Sequence, residues 1–213
     1  MTKVVVVDYG IVNLKNIVRG LQYVGAQVES SKHPDVVIKA DRLLLPGVGA
    51  FAAGMKELRA MGLDEAIIEF AQTGRPLMGI CLGMQMLLDI SSEYGDHAGL
   101  GLIPGKVVPI PTLTNGQLLR KIPHIGWNAL QCPSDYSAWN NSCLGRTPEG
   151  TSCYFLHSFM AIPKNKNQLL AQCFYQEIPV TAAIRNENVT GLQFHPERSG
   201  PAGLNILQRF LEF

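Results

Sequence analysis

Four consecutive valines, Val4–Val7, sit between Lys3 and the turn Asp8-Tyr9-Gly10. A strand that is β-branched at every position has no polar face to offer water. It must be buried on both sides, as strands are in parallel sheets covered by helices. The next segments fit that demand. Leu14, Ile17, Val18, Leu21 and Val24 recur at helical spacing behind Asn13, a residue suited to cap a helix, and Gly25 ends the run. Strands are expected at Gln27–Ser30 and Arg42–Leu45, the latter running into Pro46-Gly47-Val48-Gly49. Two helical segments follow, around 51–60 and 63–73, split at Met61-Gly62. Strand, helix, strand, helix is the order of a doubly wound α/β sheet. Such sheets bind ligands beyond the carboxyl ends of their strands, which is where Asn13, Gly49 and Cys81 fall.

The stretch Gly79-Ile80-Cys81-Leu82-Gly83 carries the chemistry. It follows an apolar run from Pro76 that reads as a buried strand, and precedes Met84-Gln85-Met86-Leu87-Leu88, which reads as a helix. Glycine, any residue, nucleophile, any residue, glycine at a strand-to-helix turn is the nucleophile-elbow pattern. Side chains at 79 or 83 would crowd the turn that pushes Cys81 out of the sheet. The helix start aims backbone N–H groups at the sulfur and favours its thiolate. The competing reading is a buried, inert cysteine.

The second half changes style. Lys106–Pro109 and His124–Asn128 are short extended pieces, and residues 132–151, rich in Pro, Ser, Asn and Gly, read as a loop. Strands at Cys153–Leu156, Leu169–Phe174, Val180–Ile184 and Val189–Phe194 come at hairpin-like spacing, so this half is antiparallel or mixed. A helix from about Pro201 to Phe213, capped by Ser199 or Gly200, turns Leu204, Leu207 and Leu211 inward. Near the last strand stands Phe194-His195-Pro196-Glu197. Proline at 196 biases His195 toward extended geometry, and residues two apart in extended chain share a side. Glu197 can then hold the His195 imidazole, giving with Cys81 a nucleophile, a base and an orienter. Of the other histidines, His33 and His97 look like loop residues, His124 looks structural, and His157 ends a strand where it can line the cleft.

Composition bounds the alternatives. A chain of 213 residues with 46% hydrophobic content is expected to form one domain, 1–213. A formal net charge of +1 argues against nucleic acid as a partner. None of the five cysteines forms a C-x-x-C pair, so neither a zinc site nor a disulfide framework is expected. No stretch has the length and apolarity of a membrane span or signal peptide, so a cytoplasmic location is expected, with no membrane partner. No P-loop or dinucleotide fingerprint is present, and no cofactor is expected.

Together Asp8-Tyr9-Gly10, Leu45–Phe51, Gly79–Gln85, Pro123–Asn128, Tyr154–Ser158 and Gln193–Ser199 give the chain a strong resemblance, over nearly its whole length, to the class I (triad-type) glutamine amidotransferases. Within them it resembles the glutaminase subunits of imidazole glycerol phosphate synthase. The resemblance implies a three-layer, flavodoxin-like α/β fold, with a mixed, largely parallel central sheet and added antiparallel strands in the second half. It implies hydrolysis of free L-glutamine by Cys81, His195 and Glu197, through a Cys81 thioester. The oxyanion would be met by the Leu82 amide and by Val48 or Gly49, with Gly47, Gln85, His157 and Ser158 on the substrate. It also implies a (β/α)8-barrel cyclase partner that receives ammonia, with Asn13, Trp127, Tyr154 and Arg198 at the interface. The pattern is broken at Val12, where glycine is usual, at Phe159, where tyrosine is frequent, and in the longer 132–151 segment, all expected near the partner face or cleft rim. These departures keep other readings open. One is a paralogous subunit feeding a sugar amidotransferase of surface-polysaccharide synthesis. Others are a catalytically silent scaffold and a cysteine hydrolase that works alone.

Overall fold

The computed structural model describes residues 2–10, 14–114, 117–118, 121–133 and 137–213; Val12 and Asn13 lie outside the described residues. Strand β1 (Lys3–Val7) runs parallel between β2 (Gln27–Ser31) and β3 (Arg42–Leu45), and β3 runs parallel to β4 (Leu77–Ile80). Beyond β4 the sheet continues with the parallel strand Val189–Leu192, then with the antiparallel strands Ile178–Asn186 and Leu169–Tyr175. The result is a seven-stranded mixed sheet.

The valine run divides as a pleat requires. Val4 and Val6 enter one core, with Leu44, Met78, Ile80 and the inner faces of α1 (Leu14–Tyr23) and the C-terminal helix Gly200–Phe210. Val5 and Val7 enter the other, with Leu43, Leu45, Leu77 and α2 (Pro34–Ile38), α3 (Phe51–Ala60) and α4 (Leu63–Gln72). Two helical layers thus sandwich the sheet, and all four valines are fully buried.

Several expectations are corrected. The helix after Cys81, α5, is only Leu82–Met86, and Leu88–Ser91 is strand β5. The amides of Leu100 and of Leu102 and Ile103 bond the carbonyls of Met86 and Leu87, ending the helix. The chain then enters a second, four-stranded sheet with His97–Ala98, Ile103–Pro109 and Phe159–Pro163. Ser199 does not cap the last helix through its side chain: its Oγ donates to the His195 carbonyl and accepts from the Tyr154 amide. The inward face of that helix centres on Ile206, Leu207 and Phe210, leaving Leu204 and Leu211 half-buried.

Within the 132–151 segment, Trp139 and residues 142–144 are buried in the core rather than lying at a rim. Trp139 is fully buried and its Nε1 donates to the Leu170 carbonyl at 2.7 Å. Ser142 and Cys143 border a cavity of about 320 Å³ beside Leu77, at the start of β4. Cys81 follows the other end of that strand, roughly 13 Å away at the rise of an extended chain. Trp139→Ala is therefore expected to cost about 3–5 kcal/mol, read as a lower urea midpoint. A change under about 1 kcal/mol would show that the segment contributes little to the fold.

Candidate active site

Cys81 sits where β4 ends, its amide bonded to the Leu192 carbonyl at 2.7 Å. Its backbone has φ +54° and ψ −111°, a conformation costly for any residue with a Cβ and characteristic of functional turns. The bend closes because its neighbours lack side chains. A Cβ on Gly83 would lie 1.9 Å from the Leu45 carbonyl oxygen, and one on Gly47 would meet the Gly83 amide and the Tyr9 hydroxyl at 2.7 Å. Tyr9, fully buried, donates to the Pro46 carbonyl at 2.9 Å and ties down the Pro46–Gly49 loop.

Beside Cys81 stands His195, 6% exposed and close enough for the two side chains to interact. Its Nδ1 is 2.9 Å from Glu197 Oε1, which leaves Nε2 for the sulfur. The pair does not form through extended chain as expected. His195 is extended, but Pro196–Arg198 is a single 3₁₀ turn, closed by the Arg198 amide on the His195 carbonyl and the Ser199 amide on the Pro196 carbonyl. Burial lowers the His195 pKa; the interactions with Cys81 and Glu197 outweigh it and raise it to about 10. The site therefore favours an imidazolium at neutral pH. Three other cysteines, Cys143, Cys153 and Cys173, are pushed up to about 12 by burial and are inert thiols.

A cavity of about 330 Å³ opens on this pair. Its walls include Val48, Gly49, Leu82, Gln85, His157 and Ser158. Gly49 holds φ +97°, which its missing side chain permits. Gln85 is buried, and its Nε2 donates to the Phe159 carbonyl at 3.1 Å and Gln193 Oε1 at 3.0 Å. Gly47 lies instead on a neighbouring cavity of about 230 Å³ with Pro46, Glu197 and Arg198; Val48, Leu156 and His195 border both.

Sequence reasoning missed Glu93, Tyr94, Pro123 and Leu156 on the main cavity, and placed Phe159 only at its rim. Glu93 Oε2 accepts from the Phe51 amide at 2.6 Å, a carboxylate at the start of α3, where the helix dipole favours it. No motif marks Glu93 in the chain. Gln193 was legible as the residue that opens the Gln-Phe-His-Pro-Glu run, and its Nε2 lies 3.7 Å from Cys81 Sγ.

Of the expected interface residues, Asn13 lies outside the described residues, and Trp127, Tyr154 and Arg198 form one surface patch. Trp127 is 57% exposed, which excludes core packing. Its ring meets Tyr154 edge-on at 6.0 Å, and the Arg198 guanidinium lies 4.2 Å over the Tyr154 ring. Ile125 and Leu156 extend the patch. Among the described residues no helix is long and apolar enough to cross a membrane.

Fold and site define a class-I glutamine amidotransferase, and that family's model, glutamine amidotransferase class-I, matches residues 5–213. Solved structures of the same fold include a glutamine amidotransferase (TM-score 0.72, 17% identity, 98% of this chain and 97% of that one) and PurLQS from Thermotoga maritima (TM-score 0.71, 20% identity, 99% and 98%). The chain is 48% identical over 212 residues, 100% of both chains, to imidazole glycerol phosphate synthase subunit HisH 1 of Legionella pneumophila (strain Lens). It is 42% identical to subunit HisH of Wolinella succinogenes, over 97% of this chain and 98% of that one. The chain belongs to the HisH family, the glutaminase subunits of imidazole glycerol phosphate synthase.

Proposed function

We propose that this chain hydrolyses glutamine through a Cys81 thioester and passes the ammonia directly to a (β/α)8-barrel cyclase subunit in the cytoplasm, for imidazole glycerol phosphate synthesis. The observation that carries the reading is the Cys81–His195–Glu197 array, opening on a cavity beside a backbone amide at a helix start. Cys81 attacks the side-chain carboxamide carbon, and the developing oxyanion is met by the Leu82 amide and by Val48 or Gly49. His195 protonates the departing ammonia and then takes a proton from the water that opens the thioester, releasing glutamate. Glu197 holds the His195 tautomer. Gln85, Glu93, His157 and Ser158 contact the amino acid.

Ammonia released into neutral water is largely protonated and stops being a nucleophile, so hydrolysis needs a receiver seated over the cleft. The patch of Ile125, Trp127, Tyr154, Leu156 and Arg198 suits an interface core, in which aromatic and arginine side chains are enriched. Full-length relatives named as synthase subunits favour the histidine-pathway receiver over a sugar-modifying one.

Two measurements test this. A histidine auxotroph lacking its own glutaminase subunit should grow when given this chain and a cognate cyclase; no growth despite a stable complex would point to another receiver. His195→Ala should lower glutamine turnover by about 10³-fold or more and Glu197→Gln by about 10–100-fold, because orientation is lost before proton transfer is. Equal losses would contradict the assignment of base and orienter.

A further inference from the structure

The strands His124–Ala129 and Ser152–His157 form an antiparallel ribbon with two faces. Alternate residues point to opposite sides. One face carries the exposed Ile125, Trp127 and Leu156 and the half-buried Tyr154; the other carries His124, Phe155 and His157, all buried. The chemistry derived above gives the His124 imidazole no task and asks of His157 only a contact with the amino acid.

Their hydrogen bonds run in one direction only. The Phe159 carbonyl can only accept, so His157 Nδ1, 2.7 Å away, carries a proton. Burial holds both rings neutral, with His157 lowered to about 3 and His124 to about 4. His157 Nε2 is therefore a lone pair, and it accepts from His124 Nδ1 at 3.0 Å. His124 Nε2 in turn accepts from Asn128 Nδ2 at 2.9 Å. The Phe159 carbonyl at the end of this chain also receives Gln85 Nε2; Gln85 holds Gln193, and Gln193 reaches Cys81 Sγ. The His124 ring is clamped between Phe155 and Tyr175, stacked at 5.0 and 4.1 Å.

We propose that His124 and Asn128 are positioning residues for the glutamine site. Through His157 they set where the Phe159 carbonyl and Gln85 stand in the cleft, and they do so from the strand whose other face is the docking patch. The inference rests on the glutamine-binding reading of the cleft and adds to it which residues hold its wall.

His124→Phe keeps a ring between Phe155 and Tyr175 and deletes the donor to His157. In the full-length chain bound to its cyclase, KM for glutamine should rise about three- to tenfold, the worth of one buried hydrogen bond, with kcat within about twofold. His124→Asn returns an N–H at the δ position and should recover most of the affinity. His124→Gln places its amide one bond further, at the ε position, and should not. Should His124→Phe fail to fold, Asn128→Leu is expected to raise KM in the same direction. Nitrogen-15 NMR of the native chain should show both rings protonated on Nδ1. An unchanged KM in every variant, equal behaviour of the Asn and Gln variants, or protons on Nε2 would overturn the proposal while leaving the glutaminase reading intact. A native complex that neither turns over glutamine nor forms a Cys81 adduct with acivicin would remove both.

Discussion

Replacing Cys81 by alanine is expected to abolish glutamine-dependent synthesis while the cyclase partner still works on ammonium salts. Of the cysteines whose thiols the structure describes as deeply buried, Cys81 alone meets an imidazole held by a carboxylate. Removing a nucleophile from such an array leaves nothing to form the covalent intermediate, and losses on the order of 10⁴-fold or more are usual. The substitution deletes one sulfur at a site that is 8% exposed and leaves Ile125, Trp127, Tyr154 and Arg198 untouched. Docking and the ammonium-dependent reaction should therefore persist at near-native rate. Assaying the two nitrogen sources side by side on the same complex checks this. Loss of both activities would argue that the sulfur supports the assembly and would count against direct ammonia transfer.

Gly83→Ala should be as damaging, by a different route. The new methyl would stand 1.9 Å from the Leu45 carbonyl oxygen and 2.8 Å from its carbon. Neither atom belongs to a flexible side chain. Leu45 lies in β3, held on one side by β1 and on the other by β4, so α5 must move away from the sheet. That shift carries the Leu82 amide and Cys81 with it, and displacements near 1 Å can cost about 10²-fold in rate. Stability should fall by about 3 kcal/mol or more, the upper range for overpacking. Gly74→Ala is the comparison: it places a side chain at positive φ, +76°, a strain absent at Gly83, but in open space. Its urea midpoint should fall far less, and its glutamine turnover should stay native. Equal stability losses in the two variants would argue against the contact with Leu45 as the cause of a large effect at 83.

The parts of the fold that were legible are those whose physics is local. Val4–Val7 cannot be half-exposed, so it announced a sheet covered on both faces. The glycines at 79 and 83 announced a bend that brings backbone to within contact of backbone. The apolar run Met84–Leu88 was not decidable in the same way. Short runs carry no period long enough to separate helix from strand, and the amides of residues 100–103, which end α5, are supplied from elsewhere in the chain. The 132–151 segment misled for a related reason. Its composition is that of a loop, and one fully buried tryptophan overrides it.

The chain by itself singled out Cys81, His195 and Glu197 as candidate nucleophile, base and orienter, and determined the two-sided burial of the first strand. Those follow from side-chain chemistry and from spacings of a few residues. Tertiary structure alone decided that Glu93 reaches the cleft, that Trp127 is exposed while Trp139 is core, and that His124 stands across from His157. Each of these depends on pairing residues far apart in sequence. A hydrogen bond or a buried ring reports its partner only once the strands between them have found their register.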